Sequence, residues 1–176
     1  MAYDPLKNNL ASSIEDKDIY KFALDTRNFE ISLFWQRSNY FLVLNSALAL
    51  GFFNLQKPEY AFFLAWFGFF VSALWLRVNL GSKYWQSRWE HRLSEIERNI
   101  APDLQFFAAD WGTIQDDVEK SLKNNNHAGC FRKWLDNQVL KKHSVSYNMT
   151  LLSITFCLSW WALAFVRFLS LRGVFG

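Results

Sequence analysis

The sequence predicts an all-α integral membrane protein with three transmembrane helices, whose long helices project into a small helical cytoplasmic region, assembled as a homo-oligomeric ring. Three stretches, 38–56, 60–76 and 144–166, contain no Lys, Arg, Asp or Glu. An apolar run of about 18 or more residues is typical of a membrane-spanning helix, because about 20 residues at 1.5 Å each cross the hydrocarbon core. Nine Trp and 18 Phe also suit a bilayer protein, in which aromatic rings fill spans and anchor at the interfaces.

The first 37 residues predict an amphipathic helix. Ser12 and Glu15 have the spacing of a capping box at its start. Ile19, Phe22, Phe29 and Leu33 then follow at three- and four-residue steps, with Thr26 between them, and form one apolar stripe. We expect this arm to lie along the membrane surface or to continue as a helix into the first span.

The second span is predicted to start near Pro58, since proline suits the first turn of a helix. The run at 60–76 is slightly short, but Arg77 can lengthen it by reaching to the interface. An apolar stripe that includes Trp85 and Trp89 continues beyond the bilayer until Pro102 breaks the helix.

Two shorter helices are predicted before the third span. Thr113 can cap a helix with apolar residues at four-residue steps, and Phe131 lies near the start of the next one. We therefore divide the chain into a cytoplasmic arm at 1–37, transmembrane helices at 38–56, 60–78 and 144–169, a cytoplasmic helical segment at 79–143 and a tail at 170–176.

The positions of the basic residues predict the orientation. The middle segment together with Arg77, just before it, carries eleven Lys and Arg residues, whereas the turn between the first two spans carries only Lys57. Positive residues stay on the cytoplasmic side of spans. We expect the N-terminus and the middle segment inside, and the Lys57 turn and the C-terminus outside. The distribution of the basic residues therefore reports topology, and the net charge of +3 does not indicate a nucleic-acid partner.

Polar residues inside the first span are candidates for function. Asn45 shares one helix face with Ala49 and Phe52, and Asn39 lies further towards the N-terminus. An amide in hydrocarbon costs free energy unless it finds a hydrogen bond or water. Asn45 therefore faces either another helix or an aqueous path. On an aqueous path, the two amides would form polar rings, and Leu48 and Phe52 would form apolar constrictions.

Self-association is expected because several predicted helices carry uncovered apolar stripes. Gly68 and Ser72, four residues apart on the second span, would permit close helix approach within or between subunits. Some 70 cytoplasmic residues divided among amphipathic helices make only a small core. Neighbouring copies in closed symmetry would cover these stripes, which predicts a homo-oligomeric ring.

No set of residues indicates catalysis or metal binding. The three histidines are scattered, and Glu90-His91 lacks the second histidine that a zinc-protease helix needs four residues further on. Cys130 and Cys157 are poorly placed for each other, which favours free thiols. We expect no enzyme activity, no cofactor, no metal and no nucleic-acid partner. Membrane lipids, further copies of the chain and a cytoplasmic protein are the expected partners.

The region from Arg27 to Phe41, RNFEISLFWQRSNYF, runs directly into the first span, and NLGSKYW at 79–85 and RWE at 88–90 follow the second. Together they resemble the RipA family of small octameric bacterial inner-membrane proteins. The resemblance implies a bacterial inner membrane and an octameric assembly, and it supplies no catalytic residue. It does not reach the C-terminal third of the chain, where the third span depends on hydropathy alone.

Two functions are compatible with this pattern. The first is a channel or pore-like assembly that is gated from its cytoplasmic helices and lined by the first span. The second is a membrane scaffold or interaction protein that conducts nothing and binds a cytoplasmic partner. The lack of ionisable residues inside the spans favours the second, because many transport pathways need them.

Overall fold

The computed structural model describes residues 16–123, 129–141 and 144–173. Within these ranges the chain is all-helical and contains no strand, as predicted. The helices are α1 (Asp16–Asn54), α2 (Pro58–Ile100), α3 (Trp111–Lys123), α4 (Cys130–Val139) and α5 (Val145–Leu171). The predicted capping box at Ser12 and Glu15 and most of the loop between α3 and α4 lie outside the described residues.

The first helix continues from the amphipathic arm through the apolar stretch at 38–54 without interruption. No proline occurs in α1, and its one glycine is Gly51, near its end. The second helix begins at Pro58, which the missing N–H of proline allows, and ends two residues before Pro102. With 43 residues, α2 is about 65 Å long at 1.5 Å per residue.

The chain forms two compact units. The polar unit comprises the described residues of Met1–Ile31 and Trp85–Lys142, and the apolar unit comprises those of Ser32–Tyr84 and His143–Gly176. Both α1 and α2 contribute residues to each unit.

The core of the apolar unit joins α1, α2 and α5. Its fully buried members are Phe52, Ala61, Ala65, Trp160 and Ala164. The two alanines of α2 lie four residues apart and therefore on one face, where their small side chains let the other helices approach closely. The large aromatic rings of Phe52 and Trp160 fill the space, packed edge to face with centroids 5.9 Å apart.

Among the described residues, two helices, α2 and α5, are long and apolar enough to cross a membrane. The first predicted span, at 38–56, lies mostly in α1, which is not one of these two helices. Its physical difference from the other two is its amides, since Asn39, Asn45 and Asn54 all lie in its apolar stretch.

The loop that follows α2 is held in place by the side chain of Glu97. Glu97, which is only 1 % exposed, accepts hydrogen bonds from the backbone N–H groups of Phe106, Phe107 and Ala108 at 2.6–2.8 Å. These three groups follow Gln105, whose φ of 49° turns the backbone into the left-handed region. A carboxylate that accepts several N–H groups forms charge-assisted bonds, so Glu97 fixes the conformation of this loop.

Candidate functional site

Asn45 lies at the centre of the apolar unit, where three helices meet. Its side chain is fully buried. Its Oδ1 accepts hydrogen bonds from the Ser72 hydroxyl of α2 at 2.8 Å and from the Trp160 indole N–H of α5 at 2.8 Å. Its Nδ2 donates to the Phe41 carbonyl one turn earlier, at 2.9 Å. One amide thus joins α1, α2 and α5 through polar contacts inside an apolar core.

The small residues of α2 make this contact geometrically feasible. A Cβ atom on Gly68 would lie 2.4 Å from Cδ2 of Trp160, so the indole fits only because residue 68 has no side chain. Ser72, one turn later, lies 2.9 Å from the Gly68 carbonyl and shares its single proton between that oxygen and Asn45. Gly68 and Ser72, predicted as packing residues, therefore both lie in the contact that includes Asn45.

A second group of polar side chains is buried nearer the Tyr84 end of the apolar unit. Nδ2 of Asn79 donates to the Met149 carbonyl at 3.1 Å and to the Ser153 hydroxyl at 3.4 Å, which joins α2 to α5. Ser153 in turn donates to the Thr150 carbonyl at 2.7 Å. Like Asn45, Asn79 offers α5 a polar partner where hydrocarbon provides none.

The other residues that the sequence indicated lie on different faces of α1. Phe52 is 2 % exposed and belongs to the same inward face as Asn45, and Leu48 packs against that core. Asn39 is exposed and lies on the opposite face. The structure therefore brings Asn45, Phe52, Gly68 and Ser72 together and separates Asn39 from them.

That opposite face has a mixed character. Its exposed residues recur at three- and four-residue steps, and they are Asn39, Val43, Ser46, Leu50, Phe53 and Asn54. Ser46 and Asn54 each donate to the carbonyl four residues earlier, at 2.9 and 2.7 Å, which reduces the cost of placing them in an apolar setting. We call this set the outer stripe of α1.

In the polar unit, Arg27 and Glu97 hold the loop that follows α2. The Arg27 guanidinium lies 5.3 Å from the Phe107 ring centroid and 3.5 Å from the Glu90 carboxylate. A cation above an aromatic face is attractive, so Arg27 fixes the loop from α1 while Glu97 fixes it from α2. Burial, and secondly the Glu97 charge, raise the pKa of Tyr20 above its ordinary value.

Sequence reasoning did not identify Trp160, Asn79 or Glu97. Trp160 is one of many aromatic residues in a span, and the few hydroxyl residues near it, Ser153, Thr155 and Ser159, do not distinguish it from the other aromatic residues. Glu97 stands in a row of alternating acids and bases that is typical of a solvated helix face. Its role depends on a loop backbone that side-chain patterns do not describe.

The contacts around Asn45 and Asn79 are polar contacts between helices. Within the described part of the chain, no group of three or more His, Cys, Asp or Glu side chains is placed to hold a metal ion. What the site does is fix the packing of three helices through a satisfied amide. Buried polar networks of this kind specify one arrangement of helices more strictly than apolar contacts do.

The described residues form α-helices, two of them long and apolar enough to cross a membrane, and a match to a family of membrane proteins agrees with this. The sequence matches the Octameric membrane protein family (8xMP) over residues 17–169, and the chain belongs to that family. The match includes α5, which the predicted resemblance did not cover. No curated protein and no solved structure matches the chain. Self-association follows from the family, which confirms the membrane oligomer that the sequence predicted.

Proposed function

We propose that the protein is a closed octameric ring in the bacterial inner membrane, with three spans per subunit, that forms a channel lined by the outer stripe of α1 and gated from its cytoplasmic helices. The observation that carries the proposal is the composition of that stripe. Asn39, Ser46 and Asn54 point away from the protomer core, although they lie in or beside an apolar stretch. Polar groups at membrane depth need a protein partner or water, and a central aqueous path supplies the water.

The proposal assigns the lining to a different face from the one that carries Asn45. Asn45 and Phe52 are used inside the protomer, which leaves Asn39 as the polar candidate exposed to a neighbour or an axis. Val43 and Leu50, which are 70 % and 68 % exposed, alternate with the polar residues of the stripe. Rings of such apolar side chains would close the path by dewetting.

Treating α1 as a span is supported by its pairing with α2. Asn45 bonds to Ser72, and Arg37 donates to the Ser82 hydroxyl at 3.5 Å, so α1 runs antiparallel beside α2 along the apolar unit. Because α2 is long and apolar enough to cross a membrane, an α1 that runs beside it along the apolar unit would lie in the same membrane environment. The internal bonds of its amides lower the cost of that environment.

Conductance of the purified octamer in planar bilayers tests the channel. Leu50→Ser would wet the predicted constriction and raise the conductance several-fold, whereas Ser46→Leu would lower it. Leu158→Ser, which changes a 63 % exposed leucine of α5, is the matched control and should leave it unchanged. If neither the wild type nor Leu50→Ser conducts at any voltage or in any lipid tested, and the octamers are intact by mass spectrometry, the channel proposal is wrong.

A scaffold that binds a cytoplasmic protein is the second candidate. Its support is an exposed aromatic pair on α4, where Phe131 is 73 % and Trp134 is 56 % exposed and their rings stack at 6.0 Å. Exposed aromatic residues are frequent anchors in protein interfaces. Crosslinking in native membranes separates the two functions, because the scaffold requires a stoichiometric partner that Phe131→Ala and Trp134→Ala release, whereas the channel does not.

A further inference from the structure

An apolar groove lies between α2 and α5 at the end of the apolar unit where α2 begins and α5 ends. Its volume is about 230 Å³. Its lining is aromatic except for one alanine, and it consists of Phe62, Trp66, Trp161, Ala164, Phe165 and Phe168. Both helices are long and apolar enough to cross a membrane, so the groove lies in spans that contact lipid or a neighbouring subunit.

The rings that line the groove support one another. Phe62 of α2 meets Phe168 of α5 with centroids 6.2 Å apart, and Trp161 stacks on Phe165 at 5.7 Å. Phe62 also packs edge to face on Trp66. The lining rings therefore hold one another in place, and the open side of the groove is bounded by Trp66, Trp161 and Phe165, each about half exposed. Such a shape admits a flexible apolar chain.

The end of the groove is basic. The Arg172 guanidinium lies 4.5 Å from the centroid of Phe168, which lines the groove. The two segments that meet at this end, 55–60 and 166–173, carry Lys57, Arg167 and Arg172 against the single acid Glu59. An apolar groove that leads to an excess of positive charge at the end of two spans complements a molecule with an acyl chain and an anionic head.

We propose that this groove binds one acyl chain of an anionic phospholipid, whose phosphate pairs with Arg172. The aromatic walls provide apolar contact to the chain, and the guanidinium provides two or more N–H donors to phosphate oxygens. Each of the eight subunits carries one such site. The site selects for headgroup charge through Arg172 and for a lipid tail through the groove.

Native mass spectrometry of the octamer, with phosphatidylglycerol or phosphatidylcholine added to the detergent micelles, tests the proposal. The wild type should retain phosphatidylglycerol in preference to phosphatidylcholine, at up to one molecule per subunit. Arg172→Gln should reduce phosphatidylglycerol retention about fivefold, as expected for one basic residue at a membrane surface. Arg77→Gln, which removes an exposed base elsewhere in the apolar unit, is the matched control and should change nothing.

The walls of the groove are tested separately. Trp161→Ala should weaken retention of both lipids, whereas Leu158→Ala, at an exposed position outside the groove, should not. A phosphatidylglycerol with a diazirine on its acyl chain should label Trp66, Trp161 or Phe165 in the unmodified octamer, which needs no variant. Equal retention of the two lipids, unaffected by Arg172→Gln, would overturn the proposal. Loss of the octamer in Trp161→Ala without labelling of the wild type would show that a neighbouring subunit fills the groove.

Discussion

At Asn45 one carboxamide oxygen accepts two buried hydrogen bonds, from Ser72 and from Trp160. Leucine has a similar shape to asparagine but no acceptor. Asn45→Leu would leave the Trp160 indole N–H without an acceptor in an apolar core and would leave the Ser72 hydroxyl with only the Gly68 carbonyl. We therefore expect a loss of about 0.6 to 2 kcal/mol for each hydrogen bond, seen as a lower unfolding temperature and a weaker octamer.

The control for this prediction is Asn39→Leu, because Asn39 is exposed and lies on the other face of α1. It should leave the stability of the isolated subunit unchanged. If Asn45 lined a wet axis instead, Asn45→Leu would keep the assembly intact and reduce only the conductance. Unfolding temperature, native mass and conductance of the two variants therefore separate packing from lining.

Gly68 and Gly81 form a matched pair of glycines in α2. A Cβ on Gly68 would meet the Trp160 ring at 2.4 Å, whereas a Cβ on Gly81 meets nothing within 4 Å. Gly68→Ala should displace the indole from Asn45 and destabilise the protein. Gly81→Ala should stabilise it by about 1 kcal/mol through helix propensity. Thermal unfolding of both variants in detergent provides the test, and equal shifts in the same direction would contradict it.

At the residue scale the sequence reveals polar or small side chains where the surroundings are apolar. Asn45, Gly68 and Ser72 stand out in this way, and the structure brings them into one contact. Their partner Trp160 does not stand out, because one tryptophan among many apolar residues carries no local signal. Which face of α1 points inward also depends on tertiary packing. For this reason Phe52, a predicted lining residue, belongs to the protomer core.

At the scale of the elements, helix bounds were predictable where proline and charge mark them. The helix start at Pro58 and the break near Pro102 depend on local backbone chemistry and follow directly from the sequence. Whether α1 crosses the membrane does not follow in the same way. Three asparagines lie in its apolar stretch, and the hydrogen bonds that compensate two of them, Asn45 and Asn54, appear only in the folded chain.

Glu97 gives the end of α2 its connection to the loop at 101–110. Glu97→Gln keeps the shape of the side chain, but it removes the charge and replaces one acceptor oxygen with a donor. The N–H groups of Phe107 and Ala108, which bond to one carboxylate oxygen, or that of Phe106 would then lose their acceptor. We expect faster amide hydrogen exchange of these three groups, by about tenfold or more for one lost charged hydrogen bond of 1.5–3 kcal/mol.

The matched control is Glu95→Gln on the same helix. The Glu95 side chain is 43 % exposed, and its pKa is lowered mainly by a hydrogen bond from Arg92, a pair that holds no loop. Hydrogen exchange at 106–108 should therefore remain at the wild-type rate in this variant. Equal exchange in Glu97→Gln and the wild type would show that the loop is held by its own packing and by Arg27 instead.

At the scale of the whole molecule, an octamer explains why so much apolar surface is exposed on one subunit. Aromatic residues that are 60–71 % exposed occur in both units, including Phe22 and Phe106 in the polar unit and Phe63 and Phe70 in the apolar unit. Lipid can cover those of the apolar unit, but those of the polar unit need protein. The apolar stripes in the sequence predicted that neighbouring copies of the chain cover this surface, and membership of an octameric family agrees with that prediction.

The last prediction concerns how each subunit crosses the membrane. If α2 and α5 both cross the membrane, the Lys57 turn and the C-terminus lie on one side and the middle segment on the other. The excess of basic residues in the middle segment predicts that this segment lies in the cytoplasm. The N-terminus alone reports on α1, because it lies inside if α1 crosses and outside if it does not.

Paired reporter fusions that are active on opposite sides of the membrane measure all four positions. They are placed at the N-terminus, after residue 57, near residue 125 and at the C-terminus. We expect inside, outside, inside and outside in that order. An outside N-terminus with the other three unchanged would reduce the subunit to two spans and remove α1 as a channel lining, and a cytoplasmic C-terminus would mean that α5 enters the membrane without crossing it.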